Sequence, residues 1–329
     1  MLRDQWGREI TYLRISVTDR CNLRCVYCMP PEGLIWQPHT AIMSYEEITA
    51  VARVAVEQGV RHIRLTGGEP LVRADLPDLV RMLAEIPGIE DLSLTTNATL
   101  LERYALELAE AGLKRVNISL DTLDPDKFSQ ITRGGSLERA LRGIEAAEKA
   151  MLLPIKINVV ALRGINDAEF LDLAKLTLSH PWHLRFIELM PIGNQNAWGR
   201  GFPEPQRAFI SIQEIFDSLA TLHLVPENGS VGSGPAVEYR IPSGAGKIGF
   251  ISPLSEHQFC QRCNRLRLTA DGFIRPCLMS DLEIPILPAM RAGEPVLPLL
   301  RKAVEQKPRA HHLAEGPAPE NRRMIQIGG

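Results

Sequence analysis

Cys21-Asn22-Leu23-Arg24-Cys25-Val26-Tyr27-Cys28 places three cysteines in one loop at the spacing Cys-x3-Cys-x2-Cys, with an aromatic residue just before the last. Thiolates this close in sequence can grip one metal centre, and thiolate is the ligand type that iron–sulfur clusters and zinc share. A four-iron cube needs four ligands, so three cysteines leave one iron open to a small molecule. A structural zinc loop would need a fourth His or Cys from elsewhere, and zinc ligands usually come as matched Cys-x2-4-Cys pairs.

Working outward, residues 12–17 (Tyr-Leu-Arg-Ile-Ser-Val) read as a strand that delivers the chain into this loop, with Arg14 on it. A turn-rich segment follows, then a helix from Ser44, whose hydroxyl can cap it ahead of Glu46 and Glu47. Ile48, Val51, Ala52 and Ala55 keep helical spacing there. Strand and helix then alternate, with strands at 62–66, 92–96, 115–120, 155–160 and 184–189 and helices at 75–86, 100–111, 137–150 and 167–178. Repeated βα units imply a parallel sheet with right-handed crossovers. Periodicity alone leaves both an open doubly wound sheet and a partial barrel in play.

Beyond Pro191 the alternation stops. Residues 193–205 have loop composition, a short helix is expected at 212–219, and strands at 237–241, 247–251 and 266–269 form a smaller region. The charged, proline-containing segment 302–323 reads as a loosely packed extension, and the chain closes on Gly328-Gly329.

Two more motifs carry chemistry. Thr66-Gly67-Gly68-Glu69-Pro70 follows a strand, and adjacent glycines let backbone approach a ligand closely. Cys260-Gln261-Arg262-Cys263, with Cys277 after thirteen intervening residues, forms a second triad. By spacing alone, zinc with His257 as a fourth ligand competes evenly with a second open cluster. The sequence Asn264-Arg265-Leu266-Arg267-Leu268 between them favours the cluster, because alternation along a strand sets both guanidiniums on one face. Guanidiniums bind phosphate oxygens with paired hydrogen bonds. Lys156 and Arg64, also on strands, point the same way, since a lysine in an apolar strand is unfavourable without an anion.

A chain of 329 residues accommodates a barrel-sized domain and an appendage. Its 45% hydrophobic and 23% charged content is that of a globular protein. With 37 basic and 39 acidic residues, no global field recruits nucleic acid or membrane, so an anionic ligand must be caught locally. No apolar run of about 18 residues and no apolar signal core at the N-terminus are found, which reads as cytoplasmic. All six cysteines fall into the two triads, as metal ligands rather than disulfides do.

The first cysteine loop, with Tyr27 and Gly67-Gly68-Glu69-Pro70, resembles the radical S-adenosylmethionine (SAM) superfamily. That resemblance implies a (β/α)6 partial TIM barrel over residues 1–192 and a smaller C-terminal α+β region over 193–329. Cys21, Cys25 and Cys28 would hold the [4Fe–4S] cluster that binds SAM and, once reduced, splits it to a 5′-deoxyadenosyl radical. Cys-x2-Cys-Asn-Arg-Leu-Arg-Leu, the later single cysteine and the Gly-Gly end narrow the resemblance to the GTP 3′,8-cyclase family of molybdenum cofactor (molybdopterin) biosynthesis.

Carried over residue by residue, that family implies SAM contacts at Tyr27, Gly68, Ser119 and Met190, and GTP contacts at Arg14, Arg64, Thr95, Lys156, Arg265, Leu266 and Arg267. Cys260, Cys263 and Cys277 would hold a second [4Fe–4S] cluster against the guanine ring, and Arg14, Arg265 and Arg267 would assist catalysis. Hydrogen is taken from C3′ and a bond closes to C8, giving (8S)-3′,8-cyclo-7,8-dihydroguanosine 5′-triphosphate. Arg185 is similar to a family arginine near the substrate, with no contact assigned. The family further implies a Gly328-Gly329 tail that enters the site, an electron donor of unknown identity, a monomer or homodimer, and a downstream cyclic pyranopterin monophosphate synthase. Ala98 stands where relatives usually carry glycine, so a slightly altered turn is expected after the third strand.

Two alternatives are weighed. A peptide-modifying radical SAM enzyme with an auxiliary cluster would not be expected to show Asn264-Arg265-Leu266-Arg267. A non-catalytic metal-binding or electron-transfer protein leaves Gly67-Gly68-Glu69-Pro70 without a purpose.

Overall fold

Successive side chains of a strand point to opposite faces, and here the two faces differ. Leu13 and Ile15 alternate with Tyr12, Arg14 and Ser16; Ile63 and Leu65 alternate with His62, Arg64 and Thr66; Val116 and Ile118 alternate with Arg115, Asn117 and Ser119. Parallel sheets with helices on both faces read instead as near-continuous apolar runs. Only one face of this sheet is built for a hydrophobic core.

The computed structural model describes all residues except 194–197, 200, 228–233, 257, 312, 314–318 and 329. Its first half alternates β1 (Tyr12–Ser16), α1 (Tyr45–Glu57), β2 (His62–Thr66), α2 (Leu76–Ala84), β3 (Asp91–Thr96), α3 (Leu101–Glu110), β4 (Arg115–Ser119), α4 (Pro125–Thr132), α5 (Leu137–Lys149), β5 (Lys156–Ala161), α6 (Phe170–Ser179) and β6 (His183–Glu188). The second half adds α7 (Ile212–Ser218), β7 (Val225–Pro226), β8 (Val237–Arg240), β9 (Lys247–Ile251), β10 (Arg265–Leu268), β11 (Phe273–Arg275), β12 (Ile284–Pro285), α8 (Leu287–Arg291) and α9 (Val296–Glu305).

All twelve strands join one sheet in the order β12-β11-β10-β1-β2-β3-β4-β5-β6-β9-β8-β7. Strands β1 to β6 are parallel, as the βα alternation predicts. The C-terminal strands extend both edges of that sheet: β10 pairs parallel with β1 and β9 parallel with β6, while β11, β12, β8 and β7 add antiparallel ribbons outside them. The curved wall is therefore built from both halves of the chain.

The apolar residues Leu13, Ile15, Ile63, Leu65, Val116, Ile118, Ile157 and Phe186 belong to one buried cluster with the helices on the outer face. Each helix starts where its sequence allows. Ser44 caps α1 in a reciprocal capping box with Glu47, and Asp124 caps α4 ahead of Pro125 at the first helical position. Helix α4, β7, β11, β12, α8 and α9 were not foreseen, because short antiparallel ribbons and short helices carry little periodicity.

One expectation needs correction. The segment 302–323 is not loosely packed where it is described. Lys302–Glu305 complete α9, Lys307 is 1% exposed, and Arg322 pairs with Asp271 at 2.9 Å and Glu283 at 2.5 Å. In the turn after β3, Ala98 takes left-handed backbone at φ +60°. Gly143 of α5 passes so close that a Cβ there would lie 2.1 Å from the Ala98 carbonyl oxygen. The helix packs on this turn and holds the alanine in place.

Left-handed backbone costs a non-glycine residue about 1–2 kcal/mol, against about 0.8 kcal/mol for one buried methyl. Ala98→Gly should therefore stabilise the metal-free protein by up to about 1 kcal/mol, and Gly143→Ala should destabilise it; paired urea titrations test both signs.

Candidate active site

The first cysteine loop leaves the C-terminal end of β1 and is held from several sides. Arg24 and Val26 donate their amides to the carbonyls of Thr132 and Ile131 at 3.0 and 2.9 Å, and Arg133 binds the carbonyls of Arg24 and Met29 at 2.9 and 2.8 Å. The Tyr27 hydroxyl donates to Asp121 Oδ2 at 2.6 Å, and the Val160 amide donates to Oδ1 at 2.9 Å. Burial pushes the Asp121 carboxyl up to about 6. Asn97 turns its amide nitrogen toward Cys21 Sγ at 3.9 Å.

Gly67 and Gly68 lie directly beneath this loop. The Gly68 amide donates to the Thr18 carbonyl at 2.9 Å and the Glu69 amide to that of Arg20 at 2.8 Å. A Cβ on Gly68 would sit 2.2 Å from the Arg20 carbonyl oxygen, and one on Gly67 2.7 Å from that of Thr18. Side chains here would push the cysteine loop away. Buried Glu69 ties the segment to β3 through the Thr96 hydroxyl at 2.8 Å and the Asn97 amide at 2.7 Å, with burial raising its carboxyl to about 7.

The second triad lies at the opposite mouth of the same lumen. Cys260 and Cys263 precede β10, which runs parallel to β1, and Cys277 follows antiparallel β11, whereas the first triad follows β1. All six cysteines line one cavity that runs between the mouths. A strand of this length spans on the order of 15 Å, so a ligand touching both triads must be elongated.

Across the lumen between them, the strand register lines up cations. Arg267, Arg14, Arg64, Ser93 and Arg115 form one row over β10, β1, β2, β3 and β4. Ser119, Asn158, Arg185 and Gly249 form another over β4, β5, β6 and β9. Arg115 has a counter-ion in Asp91 at 2.5 Å, and Arg185 reaches Glu238 at 3.4 Å. Burial, then the neighbouring Arg267 and Arg64, hold the Arg14 guanidinium well below its usual range; burial and Arg265 bring Arg267 down to about 10. Burial, then Arg185, Arg115 and Arg64, lowers Lys156 to about 6. The Nε atoms of Arg64, Arg185 and Arg265, with Asn158 Oδ1 and Thr95 Oγ1, are buried without a hydrogen-bond partner in the protein. Such a surface is made for a multiply charged anion with hydroxyl groups.

Most residues predicted from sequence come together. Tyr27, Gly68, Ser119, Met190, Arg14, Arg64, Thr95, Arg265 and Arg267 line the cavity with the six cysteines. Leu266 does not; its side chain lies in the core on the other face of β10. Lys156, at the start of β5, is on the same inward face as Asn158 but is not among the residues lining this cavity, and it is 3% exposed. His257 and Gly329 lie outside the described residues. Gly328 is described: its carbonyl accepts from Arg267 Nη1 at 2.9 Å, and at φ +68° a Cβ would fall 2.1 Å from Thr66 Oγ1. Sequence reasoning missed Asp121 and Asn158, and it gave Glu69 and Asn97 no role of their own. Asn158 was detectable, since it follows Lys156 by two on the same inward face.

The thiols suit clusters. A cluster distributes its cysteines over several irons, and each triad brings three to the one cavity. Burial raises the thiols of Cys21 (to about 11), Cys25 and Cys28. Burial would also raise Cys263, but Lys307 and Arg265 outweigh it and bring that thiol down to about 6.

Comparison with known proteins agrees with this geometry. Residues 15–177 match the Radical SAM superfamily and residues 182–313 match Molybdenum Cofactor Synthesis C. The chain is 50% identical over 333 residues to a protein of Pelotomaculum thermopropionicum named GTP 3′,8-cyclase, and 50% identical over 332 residues to one of Moorella thermoacetica with the same name; both alignments cover 100% of each chain. Among solved structures, Streptococcus suis SuiB bound to S-adenosylmethionine aligns with a TM-score of 0.61 at 14% identity, covering 90% of this chain and 68% of that one. That likeness concerns the fold.

The thiolate is the form that alkylates. In metal-free protein at pH 7, Cys263 should therefore react with iodoacetamide before Cys21, Cys25 and Cys28, and its rate should fall as pH drops through about 6; peptide mapping after timed quenching reads the order.

Proposed function

Because the chain belongs to the GTP 3′,8-cyclase family of radical SAM enzymes, we propose that its lumen holds SAM at the mouth carrying Cys21, Cys25 and Cys28 and GTP along the arginine rows toward Cys260, Cys263 and Cys277. The enzyme cyclises GTP in molybdenum cofactor biosynthesis and uses SAM and iron–sulfur clusters. The observation that carries the site assignment is the row of buried guanidiniums between two cysteine triads at opposite ends of one cavity. We place the division between the SAM-binding part and the part carrying the second triad at residues 192 and 193.

The chemistry that the clusters and SAM supply when bound is one-electron cleavage of the sulfonium and hydrogen abstraction from the ribose. This chain's residues do the rest. Cys21, Cys25 and Cys28 would hold one cluster and Cys260, Cys263 and Cys277 the other. Backbone at Gly68, with Tyr27, Ser119 and Met190, orients SAM, and Asp121 fixes the Tyr27 ring by accepting its hydroxyl proton in a 2.6 Å hydrogen bond. Arg14, Arg64, Arg265 and Arg267 hold the triphosphate, Thr95 offers its unpartnered hydroxyl, and Leu266 contributes backbone between two of the arginines. Lys156 adds charge from the inward face at the start of β5. Met324 and Ile325 of the C-terminal segment line the cavity and help to exclude water. Arg14, Arg265 and Arg267 also stabilise charge as the new bond forms.

Among the described residues no helix is long and apolar enough to cross a membrane. We read the protein as cytoplasmic, a monomer or homodimer served by a separate electron donor, with its product passing to a cyclic pyranopterin monophosphate synthase. Its near-balanced charge gives nucleic acid no foothold.

Anaerobic incubation of the reconstituted enzyme with dithionite, SAM and GTP should yield 5′-deoxyadenosine and a cyclised guanosine triphosphate by chromatography, and Cys277→Ala should abolish the cyclised product. Formation of 5′-deoxyadenosine with GTP unchanged in the parent enzyme would refute the substrate assignment.

Lys156 supplies a second test. Its ammonium is lowered to about 6 in the ligand-free site, so it is mostly neutral at pH 7.5, and a nearby polyanion raises it again. GTP binding at pH 7.5 should therefore take up protons, seen as a binding enthalpy that depends on the buffer's ionisation enthalpy, and Lys156→Met should remove that uptake.

A further inference from the structure

Two cations from opposite ends of the chain hold the backbone beside each cysteine of the second triad. Arg8 donates Nη1 to the Cys260 carbonyl at 2.7 Å. Lys307 donates Nζ to the carbonyls of Arg265 at 2.8 Å and Pro276 at 2.5 Å, two residues after Cys263 and one before Cys277. Both are buried, Lys307 at 1% exposure and the Arg8 side chain at 9%.

Neither cation is free to choose another rotamer. Asp4 accepts from Arg8 Nε on Oδ2 at 2.6 Å and from the amides of Trp6 and Arg8 on Oδ1, each at 2.9 Å. Arg8 also binds the carbonyls of Pro308 and Arg309 at 2.6 and 3.0 Å, and the Trp6 indole donates to the Lys307 carbonyl at 3.1 Å. The N-terminal hairpin and the segment after α9 are thus knitted together under the triad. The first triad has a comparable backbone clamp in Arg133, which grips the carbonyls of Arg24 and Met29.

We propose that Lys307, seated by Arg8 and Asp4, is the positioning residue of the second cluster: it ties the backbone after Cys263 to that before Cys277, while Arg8 holds that of Cys260, and it places a positive charge that favours the reduced cluster. This rests on the reading of that triad as a cluster site. Groups outside the ligand set orient the ligands, and the net charge around a cluster sets its potential. A cation held in a dry site acts more strongly than one in water, because the field is less screened. The Lys307 ammonium is aimed by carbonyl acceptors, so its charge is fixed relative to Cys263.

The test uses the full-length chain with Cys21, Cys25 and Cys28 changed to Ala, so that the second cluster alone gives a signal. Iron and acid-labile sulfide are counted after reconstitution, and the midpoint potential is read by electron paramagnetic resonance during a dithionite titration. Lys307→Met should shift the midpoint to a more negative value or lose the cluster, and Lys307→Arg should restore the parent behaviour. Arg8→Gln should lower the iron retained. In chains with both triads intact, the same variants should keep the iron of the first cluster, which shows that the fold survives. Full iron and an unchanged potential in Lys307→Met would overturn the proposal. Failure of the parent to bind a cluster at all would instead overturn the cluster reading on which it rests.

Discussion

Arg267, Arg14, Arg64 and Arg115 stand in one register row, and strands in a sheet lie about 4.8 Å apart. At an effective dielectric near 20, unit charges at that spacing repel by about 3 kcal/mol per pair. The side chains can splay, but they cannot leave the lumen. Asp91 offsets Arg115 within this row, and Glu238 reaches Arg185 in the neighbouring one. A stiff wall is needed to keep such a row together, and the outer face of the sheet supplies it, because the same strands send their alternate residues into one continuous apolar core.

The fold was legible where periodicity is long and hidden where it is short. Strands β1 to β6 and their principal helices follow directly from apolar spacing. The choice between open sheet and barrel was also present, in a form easily passed over. Arg14, Arg64, Asn117, Lys156, Asn158 and Arg185 occupy alternate positions in parallel strands, which an open sheet covered by helices on both faces would have made apolar. The closure by β9 and β10 was not legible, because pairing between strands 64 residues apart (β6 with β9) and 253 residues apart (β1 with β10) leaves no local trace.

The site divides in the same way. Motifs that put several ligands in one loop, such as both cysteine triads, announce themselves. Residues that act singly do so only through register. Asn158 and Arg185 sit opposite Ser119 and Gly249 because of strand pairing; alternation marks their face, but only register shows what they stand beside. Gly67 and Gly68 show a further limit of reading by motif. Their close approach to the carbonyls of Thr18 and Arg20 is a packing requirement as much as a ligand-binding one.

The use of both chain halves in one wall bears on synthesis. When β6 has been made, β1 and β6 are both exposed edges, each with a row of unsatisfied amides and carbonyls. Their partners β9 and β10 are complete only at Ile251 and Leu268. At about 5–20 residues per second, the roughly eighty residues from Glu188 to Leu268 take on the order of 4–16 s to emerge from the ribosome. During that interval the nascent half-barrel carries its first cysteine loop and its buried arginines in a trough open to water. Chaperone binding and metal insertion thus have a window of seconds, set by the position of β10 in the gene rather than by any property of the finished enzyme.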